Sequence, residues 1–369
     1  MEISRNVKLS VRQFSLLVMF FTIGTTILII PGGLALVAKQ DAWIAAVVGV
    51  ILGVLPVLLY NSIGKLLPDL TLIECNEKLF GKWIGTLFSI LFIFFAFIGS
   101  ATLLFYVGNF MTTQVMPRTP IQYINILFIS IVVMGVRLGL ETIARAAEVF
   151  FPWFLVLFLV LVIFLVPEIE IKNIQPVFDT GVKPIMQAAL SLVGTASLTL
   201  IVFLMIVPAC VNNPNEARKD FIAAVLLGGL FIIIITLLSI LILGSDTTAR
   251  QLYPSYVLAK KINVGNFVER IESIMAGLWF FTIYFKMTLY FYAAVVGLAQ
   301  VLKLRDYRPL CFPMGMLVAV YSLVVYPNVV YMLEWDSTVF IPYVISIGFI
   351  FPLIILVTAW VRKKRGSLS

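Results

Sequence analysis

The stretch Gly24-Thr25-Thr26-Ile27-Leu28-Ile29-Ile30-Pro31-Gly32-Gly33 decides the fold. It lies in the middle of the first long apolar segment. Glycine weakens a helix, and proline removes a donor and clashes with the preceding turn. Three glycines and a proline within ten residues are expected to open the helix at mid-membrane depth. Freed backbone groups there cannot face lipid, so they line a protein-enclosed cavity. The N-terminal end of a half-helix presents unpaired N–H groups and a positive dipole end, which suits a carboxylate. The alternative is a packing kink, since Gly and Pro are common in membrane helices.

The surrounding chain fits a membrane reading. Of 369 residues, 62% are hydrophobic and 12% charged, with mean hydropathy +1.09. Soluble domains are far more charged. Apolar runs place about ten spans of the length a bilayer requires, roughly at 11–38, 41–64, 83–113, 119–137, 147–166, 185–209, 218–243, 267–301, 309–327 and 338–361. The polar, basic N-terminus lacks a small-residue cleavage site, so the first span is expected to be retained. With the N-terminus inside, seventeen of the 26 Lys and Arg residues fall in inner segments and eight in outer ones, with Lys286 inside a span. That bias predicts cytoplasmic N- and C-termini and an even number of spans. The net charge of +8 therefore reports loops and no nucleic-acid binding. The C-terminal Arg362-Lys363-Lys364-Arg365 cluster fixes orientation and meets anionic lipid of the bilayer.

An even count divides into two halves, approximately 11–166 and 185–361, within a single membrane domain, 1–369. Five spans per half make the halves inverted repeats, and broken helices then point to the substrate site. The sixth span corresponds to the first. It clusters Ser191, Gly194, Thr195, Ser197 and Thr199 in its first half and has Pro208 near its end. It reads either as a second broken helix, with hydroxyls rebinding freed backbone groups, or as a helix packed through small residues. Two outer connections, 167–184 and 244–266, read as lids or as plain caps. Ser255 to Lys261 predicts a short surface helix. Arg137 to Glu148 predicts a helical inner loop with a Glu141–Arg145 pair, either a solvated face or a docking surface.

Lys286 is the residue that departs from the apolar background. A charge at the centre of a span costs at least about 2.5–3.5 kcal/mol, so it is expected to face the protein interior. Thr282, Lys286 and Tyr290 fall at i−4, i and i+4 on one helix stripe. The ammonium can bind a ligand carboxylate or helix-break carbonyls, stand in for a bound cation, or couple to protons; alternatively the lysine snorkels from a shifted span. No acidic residue lies deep in any assigned span. Phe95, Gly99 and Ser100 in the third span either line a small pocket or pack helices.

Several classes are excluded. Histidine is absent, and Cys75, Cys210 and Cys311 are far apart with no CxxC, so no metal site or disulfide framework is expected. With no deep paired carboxylates, no P-loop and no dinucleotide fingerprint, no enzyme and no cofactor are expected.

Three stretches resemble a known family: Arg118-Thr-Pro-Ile-Gln122, Gly139-Leu-Glu-Thr-Ile-Ala-Arg-Ala-Ala-Glu-Val-Phe-Phe-Pro152, and Phe267-Val-Glu-Arg-Ile-Glu-Ser273 followed by Trp279. Across essentially its whole length the chain resembles the B subunit of the nutrient germinant receptors of spore-forming bacteria. That family is similar to the amino acid–polyamine–organocation transporter superfamily. The resemblance implies an all-α polytopic membrane protein with ten transmembrane helices in a leucine-transporter-like five-plus-five inverted repeat, helices 1 and 6 broken. It implies a small nutrient germinant, most often an amino acid, sensed together with receptor A and C subunits in the spore inner membrane. Gly24, Thr25 and Thr26 would meet the ligand carboxylate, Ser197 and Thr199 would face it, and Phe95, Gly99, Thr282, Lys286 and Tyr290 would form the walls. The chain departs from the superfamily pattern where Gly-Thr-Thr replaces a second glycine, where Val202 replaces an acidic residue, and in Lys286 itself. The rival expectation is a proton-coupled amino acid transporter of the same superfamily.

Overall fold

The computed structural model describes residues 8–68, 70–207, 209–262 and 271–364. The Phe267–Arg270 part of the third family-like stretch, Pro208 and Arg365 lie outside them. Among these described residues the regular structure is helical apart from one bridge, Leu9 with Val211. The helices are α1 (Val11–Ile23), α2 (Thr26–Ala38), α3 (Ala42–Leu52), α4 (Val54–Leu66), α5 (Leu72–Phe110), α6 (Ile121–Leu138), α7 (Leu140–Leu165), α8 (Val182–Leu192), α9 (Pro214–Leu243), α10 (Ser245–Arg250), α11 (Pro254–Ala259), α12 (Glu272–Val301), α13 (Arg308–Ser322), α14 (Val329–Thr338), α15 (Phe340–Ile345) and α16 (Phe351–Lys364).

Eight helical stretches among the described residues are long and apolar enough to cross a membrane. One of them, Thr26–Leu66, has 41 residues. At 1.5 Å per residue it is about 60 Å long, twice the hydrocarbon thickness. It reverses at the Lys39–Asp41 turn, where Lys39 has φ 46°. The ten-span expectation counts α1 with α2, separates α3 and α4 from them, and adds the 15-residue α13; helix length alone returns eight.

Helix α12 forms the centre. It is apolar nearly all round and packs against α5, α1, α7, α6 and α13. Small residues allow the close approach: Gly297 faces Ile93, and Gly99 on α5 faces the Tyr290 ring. Those two pairs also fix α5 and α12 as antiparallel. The outer ring leaves its apolar residues exposed, among them Leu127, Trp153, Ile163, Met316 and Val324. An exposed apolar belt of this kind is what lipid covers.

The first span breaks at one residue. Gly24 adopts φ 26°, ψ −118°, and α2 restarts at Thr26. The opening expected across the whole Gly/Pro stretch is narrower than that: α2 continues helically through Pro31, Gly32 and Gly33. Gly32 instead permits a close approach, since a Cβ there would lie 3.0 Å from the Gln251 carbonyl oxygen. The carbonyl that Pro31 orphans, Ile27 four residues earlier, accepts from the Ser255 hydroxyl at 2.6 Å. The helix expected at 255–261 therefore exists as α11, but it is buried against α2 rather than lying on the surface. The sixth span loses α geometry as expected, through a π turn at Val193–Ser197 and a 3-10 run at Leu198–Met205.

The 167–184 connection is pinned as a cap. The buried Asp41 carboxylate accepts from the Phe178 and Thr180 amides at 2.7 and 3.0 Å and from the Thr180 hydroxyl at 2.8 Å. The Arg137–Glu148 stretch is helical as expected, but it is the end of α6 and the start of α7, separated by Gly139 at φ 101°. Its Glu141–Arg145 pair, at 3.7 Å, is solvent-exposed, worth a few tenths of a kcal/mol at most, about 0.3–0.5.

Candidate functional site

A cavity of about 1510 Å³ runs inward from the face that carries α10 and α14. Its walls come from α2, α5, α8 and the π turn after it, α12, α14 and α15. Its floor is Lys286 and Tyr290. Beyond them the opposite face is sealed by aromatic rings. Phe21 packs on Phe203 and Tyr290, and Phe14 packs on Phe203 and Phe221, with centroids 5.3–5.7 Å apart. The same face is closed by backbone pairing of Leu9 with Cys210 and Asn212 at 2.8 and 3.0 Å.

Lys286 joins the two broken spans. Its ammonium donates to the Thr195 carbonyl at 3.0 Å, inside the π turn, and lies 3.5 Å from the Thr25 hydroxyl, at the start of α2. The Phe21 ring lies beneath it, 5.2 Å from nitrogen to centroid. The side chain is 2% exposed. No carboxylate pairs with it among the described residues. A buried ammonium held only by a carbonyl, a hydroxyl and a ring is incompletely neutralised, and it faces a cavity that admits an anion.

Of the ten site residues expected from sequence, Thr25, Phe95, Gly99, Thr199, Lys286 and Tyr290 line the cavity together. Gly24, Thr26, Ser197 and Thr282 do not. Gly24 lies under the Lys286 side chain, where a Cβ would overlap Lys286 Cδ. The Thr282 hydroxyl donates to the Gly24 carbonyl at 3.0 Å and so fastens the break. Thr26 bonds back to the Thr22 carbonyl at 3.1 Å. Ser197 turns its hydroxyl toward Gly53 on the second span. The stripe of Thr282, Lys286 and Tyr290 is real, but its members serve different ends: fastening the break, presenting charge, and packing a ring against Phe95. Ser100 bonds the Ala96 carbonyl and lies outside the lining.

Sequence reasoning missed several lining residues. The Thr195 carbonyl is backbone and carries no signal in a residue list. Tyr343 faces the same chamber with its hydroxyl buried and unpaired among the described residues, and its ring packs on Phe95 at 5.7 Å. Asp336 on α14 accepts from the Tyr106 phenol. Burial pushes the Asp336 carboxyl up to about 6, partly offset by that hydrogen bond. No group of three or more metal-ligating side chains occurs among the described residues.

Two broken spans around a central helix, with a chamber open to one face between them, define a transporter-type membrane fold. The whole-chain likeness to solved structures agrees. MhsT in complex with L-phenylalanine superposes with a TM-score of 0.72 over 96% of this chain and 99% of that one, at 12% identity. A nucleobase-cation-symport-1 family transporter, in a closed conformation with bromovinylhydantoin bound, gives 0.69 over 96% and 78%, at 14% identity. Sequence likeness identifies the family. The chain belongs to the spore germination protein family, whose profile matches residues 8–330. Spore germination protein KB of Bacillus subtilis (strain 168) is 29% identical over 368 residues, which is 98% of this chain and 97% of that relative. Spore germination protein YndE of the same organism is 24% identical over 365 residues, 98% of each. The protein is thus a multi-pass membrane protein of the germination family with a transporter-like fold.

Proposed function

We propose that this protein is the germinant-sensing membrane subunit of a spore germination receptor, and that its ligand is an amino acid. One observation carries the reading: Lys286, buried and without a counter-anion among the described residues, bridges Thr25 and Thr195 at the floor of an open chamber. A ligand carboxylate supplies the missing charge. It sits between the ammonium and the start of α2, where Thr25 lines the chamber 3.5 Å from that ammonium. Phe95, Gly99 and Tyr290 form the wall for the ligand side chain, and Tyr343 offers an unused donor. The relative named spore germination protein KB supports the germination role. The MhsT complex with L-phenylalanine supports an amino acid in a fold of this kind.

Sensing follows from the bridge. An anion at Lys286 competes with the Thr195 carbonyl for the ammonium and loosens one broken span from the other. The equilibrium then shifts toward the arrangement that holds the ligand better, and receptor A and C subunits read that change. The halves 11–166 and 185–361 are the inverted repeats that move against each other, in the spore inner membrane with both termini toward the core. The test is germination of spores carrying Lys286→Ala at matched protein level. The expected result is loss of the amino acid dose response. An unchanged dose response overturns the pocket. The transporter-type fold favours one rival, proton-coupled amino acid uptake; saturable uptake of labelled amino acid into proteoliposomes, lost on Lys286→Ala, decides for it.

A further inference from the structure

The chamber holds a second, oppositely charged group that the floor of the site does not use. Asp336 lines its wall near the mouth, on α14, and its one described partner is the Tyr106 phenol. No lysine or arginine pairs with it among the described residues. Aromatic rings gather around it. Tyr326 packs on Phe105 at 5.2 Å and on Tyr106 and Tyr331 at 6.5 Å, and Tyr106, Tyr326 and Trp335 all line the chamber. A carboxylate within a set of electron-rich rings is the chemistry that receives an ammonium group: the carboxylate supplies charge, and the ring faces supply cation–π attraction without competing donors.

The placement suits a ligand that also reaches Lys286. On the antiparallel α5 and α12, Gly99 meets Tyr290 and Ile93 meets Gly297. That register sets Lys286 opposite Leu103. Tyr106 is then about one turn, or about 5 Å, nearer the mouth than Lys286. An anion-binding floor and a cation-binding wall therefore lie along one side of a single chamber.

We propose that Asp336, held by Tyr106 and walled by Tyr326 and Trp335, is the binding site for a cationic amine carried by the ligand whose carboxylate meets Lys286. This rests on the proposed pocket and narrows its ligand to molecules whose cationic amine lies beyond the α-amino position, as in lysine or 6-aminohexanoate. Burial disfavours the ionised carboxylate in the empty chamber, and an ammonium restores it.

The test compares matched probes that differ in one amine: L-lysine against L-norleucine, and 6-aminohexanoate against hexanoate. The readout is ligand-dependent thermal stabilisation of the purified full-length protein. The amine-bearing member of at least one pair is expected to reach half-maximal stabilisation at about tenfold lower concentration. Asp336→Asn is expected to erase that advantage while leaving norleucine and hexanoate unchanged. If the variant does not fold, pH serves in the wild type: the amine advantage is expected to vanish as pH falls through about 6. The other titratable or charged groups near Asp336 are Tyr106 on α5, Tyr253 before α11, Tyr326 before α14, Tyr331 and Glu334 on α14, and Arg250 and Lys183 at the mouth. Equal stabilisation within both pairs, or an advantage that survives Asp336→Asn, overturns the amine site and leaves the floor intact. No stabilisation by any of the four probes contradicts the floor and the wall together.

Discussion

The two broken spans differ in what holds their freed backbone groups. At and just after the first break two freed carbonyls accept from hydroxyls far along the chain: Gly24 from Thr282, and Ile27 from Ser255. Neither hydroxyl lines the chamber. At the second break the Thr195 carbonyl is shared by Thr199, at 3.0 Å, and by the Lys286 ammonium, which does line it. The first break is a fastened joint. The second is held through a charge that a ligand can reach. A broken helix is therefore not by itself a moving part; what matters is whether its ties face the ligand.

This contrast can be broken most forcefully at Gly24. Gly24→Val forces a β-branched residue to φ 26° and overlaps Lys286 and the Phe21 carbonyl. Left-handed strain of about 1–2 kcal/mol and overpacking of about 1–3 kcal/mol combine. A fall in melting temperature of several degrees or more is expected in thermal unfolding; an unchanged midpoint shows that the break relaxes freely. Ser255→Ala is next. It leaves the Ile27 carbonyl buried without a partner, at about 1–3 kcal/mol. The loss should be equal with and without amino acid, because this tie does not face the ligand. Ligand-dependent loss would place the first break among the moving parts.

Smaller effects sharpen the other side. The Asp336 carboxyl is raised to about 6 by burial, so the folded chain favours its protonated form. That contribution is present at low pH and is lost as pH rises through about 6. The ligand-free protein should therefore lose some stability over that rise, and Asp336→Asn should flatten the profile. A profile identical in the variant assigns the slope elsewhere. The smallest change is expected from Tyr343→Phe. It removes a buried, unpaired hydroxyl and should leave the empty protein as stable or slightly more so. Amino acid binding should weaken by a few-fold, about the value of one neutral hydrogen bond. Unaltered binding shows that the ligand does not use this donor.

Much of this was legible in the sequence because it rests on local rules. Gly24 announces a break, and Lys286 announces an interior charge, since neither fits an ordinary apolar helix. The ties were not legible. Ser255 lies 228 positions from Ile27, and Thr282 lies 258 from Gly24; only tertiary packing brings them together. For the same reason Ser197 read as a pocket residue and proved to face Gly53, since a π turn rotates side chains away from the positions an α-helix assigns. Asp336 falls between the spans assigned at 309–327 and 338–361, and nothing in its local sequence marks it. Its interest comes from Tyr106, 230 positions away, which only tertiary packing brings to it.

The central claim is that Lys286 is the anion receptor tying the second break to the ligand. The direct measurement is thermal stabilisation of the purified protein by amino acids and by their amines lacking the carboxylate, in wild type and Lys286→Met. Removing a buried, incompletely paired charge is expected to leave the empty protein about as stable as before. The account predicts stabilisation by at least one amino acid, none by its decarboxylated amine, and none by either in Lys286→Met. Equal stabilisation of wild type and Lys286→Met by the same amino acid would contradict it.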